Sequence, residues 1–415
     1  MAIIKPFRAL RPRDKYASTV ASVPYDVVNR VEAKELAKDN PLNLLHVTRA
    51  EIDLDDKINP YSSEVYQKAK NNLDEIISGG YLIAEEEPKF YLYKLTMDGR
   101  SQTGIAATFS VDDYDNDVIL KHEKTRKEKE DDRTNHIITT GAQTGPVFLT
   151  YRNVSLIDSV VEDTIKTSLP IYNFTSSDGI EHTIWILPKD KNQIIIDEIA
   201  KVKNLYIADG HHRAASASRA RKLKQTLNPA HKGSEEYNYF IAVLFPANQL
   251  KILPYNRIVL DLNEKTKDEF LNEISDKFFI DKASMKEPLE RYTFGMFLDG
   301  EWYLIKAKDS IIASGSLSKS IAENLDVSIL QDFLLNPVLG IDDPRTNKRI
   351  DFVGGIRGTK ELEQLVNNGK AAIAFSLFPV SVSDLMRISD AGEIMPPKST
   401  WFEPKLRDGL LVHLI

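Results

Sequence analysis

Asp209, Gly210, His211, His212 and Arg213 set a carboxylate, a permissive backbone position, two imidazoles and a guanidinium in one uninterrupted run. Leu205 to Ala208 before them is apolar and reads as a short buried strand. Asp-Gly reads as a turn, and the Ala-rich sequel to Ala220 as a helix. Charge is therefore delivered where a strand hands over to a helix. The first N–H groups of that helix lack intrahelical acceptors, and with the helix dipole they favour an anion. Phosphate suits this combination best: the backbone of Gly210 to His212 and the side chain of Arg213 would cradle it, while Asp209 would accept from backbone donors or hold a cation. A purely structural account has Asp209 capping the helix, Gly210 relieving turn strain and Arg213 solvated on the helix face. It explains each residue singly, but not why two of the eight histidines stand side by side in a turn that needs neither.

Other groups are candidates to join this turn. Pro24 fixes its own φ and biases Val23 toward an extended conformation, which would present Tyr25 and Asp26 rigidly as a substrate wall. His46 sits in a compact apolar run, Leu42 to Val47, expected as a strand, where a core role and a substrate-binding role are both open to it. His122 and Glu123 stand at an expected strand-to-helix junction. The charged run beyond them to Arg133 reads as solvated helix, with Glu123 and Lys127 in the favourable i, i+4 order. A zinc-protease reading fails, because Arg126 occupies the position four after His122. Asn256 and Arg257 follow Pro254-Tyr255 as polar groups that could line the same cleft. Prolines 396, 397 and 404 rule out a regular helix near the C-terminal end. A stiff loop bearing Lys398, Ser399, Thr400 and Lys405 suits a phosphate or carboxylate clamp; equally, it could pack Trp401 and Phe402 onto the body.

The elements needed to position these groups alternate in type. Phe90 to Val111 spells a hairpin around Asp98-Gly99, Ile171 to Leu187 another around Asp178-Gly179, and Tyr292 to Lys306 a third around Asp299-Gly300. Helices are predicted over Val31 to Lys38, Ser62 to Ser78, Ser155 to Ser168, Asp190 to Lys201 and Asp326 to Leu335. Gln225 to Tyr237 is polar and long enough for a mobile lid. Hairpins interleaved with helices predict an α+β fold with mixed sheets, not a doubly wound parallel one. Two domains are expected, 1–262 carrying the central turn and 263–415 an α+β region whose last loop returns to the site.

Composition narrows the function. The 415 residues are 42% hydrophobic and 28% charged, a globular balance. A formal net charge of −7 argues against nucleic acid as a partner, since polyanions need concentrated positive surface. The chain has no cysteine, which removes disulfides, thiolate nucleophiles and Cys-based zinc sites. No apolar stretch suits a signal peptide or membrane span, so a cytoplasmic location without membrane partners is expected; the oligomeric state is left open. No Walker-type phosphate loop is present, leaving Asp209 to Arg213 as the expected nucleotide cradle.

Asp-Gly-His-His-Arg at 209–213 resembles the nucleotide-binding motif of the ParB and sulfiredoxin superfamily. There, partition proteins, sulfiredoxins and archaeal free-serine kinases place a Gly-x-x-Arg-like turn under nucleotide phosphates. Over nearly its whole length the chain resembles the family known as domain of unknown function 1015. That likeness runs through Lys5-Pro6-Phe7-Arg8, Pro24-Tyr25-Asp26-Val27, Asn43-Leu44-Leu45-His46-Val47, His122-Glu123-Lys124-Thr125, the central motif and Met395-Pro396-Pro397-Lys398-Ser399-Thr400. The first resemblance implies a ParB-like nucleotide-binding core within 1–262. It also implies an ATP-dependent phosphotransferase acting on a small hydroxylated metabolite, with free L-serine as first candidate. In that picture ATP or another nucleotide and Mg2+ are the cofactors, with Gly210, His211, His212, Arg213 and Lys398 holding the nucleotide. Asp209 positions the metal or acts as base, Glu123 is the alternative base, and His122, His211 or His212 steadies the transferring phosphoryl group. Tyr25, Asp26, His46, Asn256 and Arg257 would meet the substrate. The alternative is a regulatory module that binds ATP or CTP at the same turn without transferring phosphate.

Overall fold

The computed structural model describes residues 1–316 and 320–415. It is mixed α+β and falls into two compact units, one made of 1–250 with 404–415, the other of 251–403. Residues 251–262, expected with the first domain, and 404–415, expected with the second, thus each belong to the opposite unit.

The first unit is built on a mixed sheet. From one edge its order is Ile119–Leu120, Leu205–Asp209, Val147–Tyr151, Tyr239–Pro246, Arg100–Ser110, Tyr91–Met97, Glu181–Ile186 and Tyr172–Thr175, with Ile4–Lys5 also pairing on Arg100–Ser110. Leu205–Asp209 runs parallel to the edge strand and antiparallel to Val147–Tyr151, so one strand carries both senses of pairing. The 98–99 hairpin forms as expected. Met97 pairs with Arg100 across a two-residue turn, and Asp98 and Gly99 sit at φ 51° and 75°, the left-handed pair that a tight hairpin requires. Ile105, Ala107, Phe109, Leu149, Ile207, Ala214, Ala217 and Leu244 belong to the main core of this unit.

Several elements differ from expectation. Leu42 to Val47 is not a strand. Asn40 and Asn43 side chains accept from the Leu42 and Leu45 amides at 3.3 and 3.0 Å, and a helical turn, Leu45–Thr48, follows. Asparagine turns of this kind override an apolar run too short to dictate its own period. The charged helix begins at Lys127 and ends at Thr140, so Glu123 lies before it, outside the helix in which the i, i+4 order was expected. Residues 228–238 are closed by their own bonds, with the Tyr237 hydroxyl 2.9 Å from Asn228 Nδ2 and 2.8 Å from His231 Nδ1.

The second unit carries a sheet ordered Phe278–Lys282, Glu301–Ala307, Thr293–Leu298, Ile373–Leu377, Tyr255–Val259, Ile350–Gly354, every pair antiparallel. One face is apolar through Ile258, Phe297, Trp302, Val353 and Ala374, and Leu362 of the helix Gly358–Asn367 is in the same cluster. The two ends of this unit lie side by side, because Lys251–Leu253 pairs antiparallel with Trp401–Glu403. The region expected as one buried helix divides into an α-turn, Asp326–Leu330, and a wider π-turn, Gln331–Leu335. No helix of the described residues is long and apolar enough to cross a membrane.

Candidate functional site at the central strand-to-helix turn

Leu205–Asp209 is buried through Ala208, and its register against Val147–Tyr151 slips between Ile207 and Asp209. Such a bulge re-aims the next side chain; Asp209 keeps 39% of its side chain exposed. Gly210 follows at φ 90°, a conformation costly to any residue with a Cβ. It opens the helix His211–Leu227 without a side-chain cap, its carbonyl accepting from Arg213 N at 2.9 Å and Ala214 N at 3.1 Å.

Asp209 accepts from the Gly210 amide at 2.9 Å and from the Lys405 ammonium at 2.7 Å. Burial alone would raise its pKa, but Lys405 and Arg213 outweigh burial and hold the carboxyl at about 2. Arg213 keeps 12% of its side chain exposed. Its guanidinium donates to Asp408 at 2.8 and 3.5 Å and to the Pro146 carbonyl at 3.3 Å, and lies 3.8 Å from Asp26. Burial works against its charge, yet Asp408, Asp26 and Tyr25 raise its pKa on balance. Burial likewise pushes Asp408 up to about 6, with Arg213 restraining the rise. Tyr25 lies under both Arg213 and Arg133, whose guanidinium carbons are 5.4 and 4.1 Å from the ring centre. Gly145 explains itself here: a Cβ at that position would lie 2.1 Å from both Arg213 Nη1 and Asp408 Oδ1.

Two clefts meet at Arg213. One is bordered by Pro24, Asp26, Asp209, Gly210 and Lys405, the other by Tyr25, Arg133, His136, Gly145 and Asp408. Lys405 and Asp408 reach them on a segment that is itself pinned. Asp408 exchanges backbone bonds with Ser22 at 3.0 and 3.1 Å, and Gly409 N donates to Thr144 O at 2.9 Å. Arg407 Nε donates to His182 Nε2 at 3.2 Å, and its Nη2 donates to Ser176 Oγ at 3.0 Å and to Asp178. His182 Nε2 thus accepts, which leaves Nδ1–H to face the Tyr93 hydroxyl at 2.9 Å. Burial, reinforced by Arg407, pushes this imidazole down to about 3, so it stays neutral.

His211 of the motif has the same character. His211 Nε2 accepts from the His122 amide at 3.5 Å and His212 Nε2 from the Arg126 amide at 3.1 Å, tying the extended segment 121–126 to the helix start. The His122 and His211 rings meet edge to face at 4.4 Å. Burial pushes His122 down to about 4 and His211 well below its ordinary value. At neutral pH these two rings therefore bring dipoles and packing to the site rather than positive charge.

Among the residues singled out from sequence, Tyr25, Asp26, Asp209, Gly210 and Arg213 come together, with His122 packed on His211. Glu123 lies half-buried in the adjoining segment. His46 belongs to another cluster, its Nδ1 2.7 Å from Asp53 Oδ1, whose second oxygen accepts from Asn72 at 2.8 Å. Asn256, Arg257 and Lys398 lie in the second unit: Asn256 Oδ1 accepts from Leu377 N at 3.1 Å, and the Lys398 ammonium sits 5.2 Å from the Tyr255 ring centre. Sequence reading missed Asp408 and Arg133. Asp408-Gly409 looks like any Asp-Gly turn, and Arg133 like one more charge in a charged helix.

Fold and site together describe a two-unit α+β protein whose first unit gathers cations and carboxylates at a glycine-opened helix. The chain belongs to the family described as Protein of unknown function (DUF1015), whose model matches residues 4–328. No curated protein matches it. Similar solved structures include a conserved hypothetical protein from Pyrococcus furiosus, at 13% identity and TM-score 0.36, with 74% of this chain and 95% of that one covered. A free serine kinase in complex with AMP matches at 12% identity and TM-score 0.36, covering 74% and 91%. SbnI from Staphylococcus aureus, truncated at its C-terminus, matches at 11% identity and TM-score 0.39, covering 74% and 87%.

Proposed function

We propose that this chain is a nucleotide-dependent phosphotransferase acting on a small hydroxylated metabolite, free L-serine being the first to test. The observation that carries the reading is the presence of two cations, Lys405 and Arg213, at the uncapped start of the helix His211–Leu227, beside a glycine in the left-handed conformation. Phosphate oxygens would seat against the first helical amides between these cations. Without a ligand each cation is neutralised by carboxylates, Lys405 by Asp209 and Arg213 by Asp408 with Asp26. An arriving phosphate competes for Lys405, which leaves the Asp209 carboxylate ionised and unpaired beside the phosphates. That is the group needed to hold a divalent cation or orient a hydroxyl. Among the described residues no cluster of three or more His, Asp or Glu suits a metal ion. Mg2+ would therefore be held chiefly by nucleotide phosphates and water with at most one carboxylate from this site, as is usual for that ion. It would supply charge neutralisation to the transferring phosphoryl group.

The same ion pairs favour a second reading, a nucleotide-binding regulatory module, since in this state no carboxylate of the turn is left unpaired to act as base. Incubation of the pure protein with ATP, Mg2+ and pooled small metabolites separates the two. Substrate-dependent ADP release supports the transferase. Tight nucleotide binding without turnover supports the module, and no nucleotide binding at all rejects both.

A further inference from the structure

Arg257 of the second unit is a buried cation to which the described residues supply no counterion. It is 4% exposed, and among the described residues no Asp or Glu forms an ion pair with it. Its guanidinium donates to the Tyr255 carbonyl and, at 3.5 Å, to the Pro397 carbonyl, and lies 5.3 Å from the Phe352 ring centre. Two carbonyls and a ring face use part of a five-donor fork and offset none of its charge in full. Burying a charge is costly unless it is paired, and here burial pulls the guanidinium down to about 9, the opposite of what befalls Arg213.

The surroundings are those of a binding face rather than a core. Arg257 pairs across the sheet with Phe352 on one side and Phe375 on the other, so its side chain shares their face, opposite the apolar cluster around Ile258 and Leu362. On that face Gly354 leaves room for Trp401, whose ring atoms lie 2.8 Å from where a Cβ would stand, and Trp401 meets Tyr255 edge to face at 5.1 Å. A second cation is held here by backbone geometry: Lys398 directly follows the Pro397 carbonyl that receives Arg257. It adopts φ 57°, rare for a residue with a side chain, and its ammonium sits over the Tyr255 ring.

We propose that Arg257 and Lys398, framed by Tyr255 and Trp401, form an oxyanion site in the second unit that takes the carboxylate or phosphate of a small ligand. The anion supplies the countercharge that the described residues withhold from Arg257. The site stands on its own residues and holds whether or not the first unit binds nucleotide. It is tested by following the Trp401 indole resonance in the full-length protein labelled at tryptophan nitrogen, the signal being assigned with Trp401→Phe. Inorganic phosphate and acetate are titrated separately against a chloride background of constant ionic strength. The expected result is a saturable shift with at least one of them: phosphate alone points to a phosphorylated ligand, acetate alone to a carboxylate. Lys398→Ala, at an exposed position, is expected to weaken binding at least threefold, and Arg257→Met to abolish it. If Arg257→Met does not fold, Lys398→Ala decides the matter. No saturable shift with either anion, or affinity unchanged in Lys398→Ala, overturns the proposal.

Discussion

Arg213 is the residue on which most of the candidate site depends, because three separate parts of the chain meet its guanidinium: Tyr25 with Asp26, Pro146, and Asp408. A planar fork makes the paired bonds to Asp408; a lysine ammonium would keep the charge and lose the geometry. Arg213→Lys is therefore expected to lower unfolding free energy by about 2 kcal/mol and to weaken nucleotide binding at least tenfold. Denaturant melts and calorimetry check the two separately, and unchanged ATP affinity would remove this residue from the nucleotide site. Gly145 gives an independent handle on the same contact. Gly145→Ala places a methyl group on the Arg213–Asp408 pair, and because Asp408 is buried and paired with the guanidinium, making room means pulling the two side chains apart. A loss of about 3 kcal/mol is expected, the cost of breaking a buried pair. A variant as stable as the parent would mean that the pair relaxes freely. At this scale the sequence was legible where residue type is rare and local, as in 209–213. It was opaque for Asp408 and Arg133, whose partners are distant in sequence and whose types are common.

At the scale of elements, regular periodicity was readable and local turn chemistry was less so. The Asp98-Gly99 and Asp299-Gly300 hairpins appear where the dipeptides predict them, because two positive-φ residues fit one kind of turn only. Leu42 to Val47 misled because its apolar pattern fits a strand and a helical turn equally, and the flanking asparagine side chains decided it. Residues 121–126 misled for a tertiary reason: the Arg126 amide, which a helix starting at Glu123 would commit to the His122 carbonyl, is donated to His212 instead, and the His122 amide goes to His211. This assigns His212 a mechanical task. His212→Ala should free the Arg126 amide, raising its hydrogen-exchange rate roughly fivefold, as expected for losing one bond of about 1 kcal/mol. An unchanged rate would show that the segment is held by other contacts.

For the whole molecule, the buried imidazoles set the response to acid. His122, His136 and His413 are pushed down to about 4 and His182 to about 3, each primarily by burial, and His211 is lowered as well. The sign follows directly: in the unfolded chain these groups take up protons near 6.5, while in the folded chain they do not, so stability present above that value is lost as pH falls toward 4. Each contributes up to about 1.4 kcal/mol per pH unit in that window. Asp326 and Asp408, raised to about 6 mainly by burial, work the other way between their ordinary values and 6. Burial raises Asp113 and Asp332 as well, so four carboxyls stand against five histidines and the balance is still a net loss. Guanidinium midpoints should drop steeply between pH 6.5 and 4.5; a flat profile would show that these rings accept protons in the folded state.

The short ladder between Lys251–Leu253 and Trp401–Glu403 bears on the order in which the chain can mature during synthesis. A ribosome delivers Arg213 well before Lys405 and Asp408, with the whole of 251–403 emerging in between. Until then the nascent first unit holds a guanidinium without its Asp408 carboxylate and an Asp209 without its ammonium. Closing so long a gap by chance would be slow and entropically unfavourable. The ladder brings the ends of the insert together within the insert itself, so the closure cost falls on the second unit as it folds. Translation pauses within 251–403 should therefore yield intermediates in which the central turn is formed in backbone but not yet neutralised in charge.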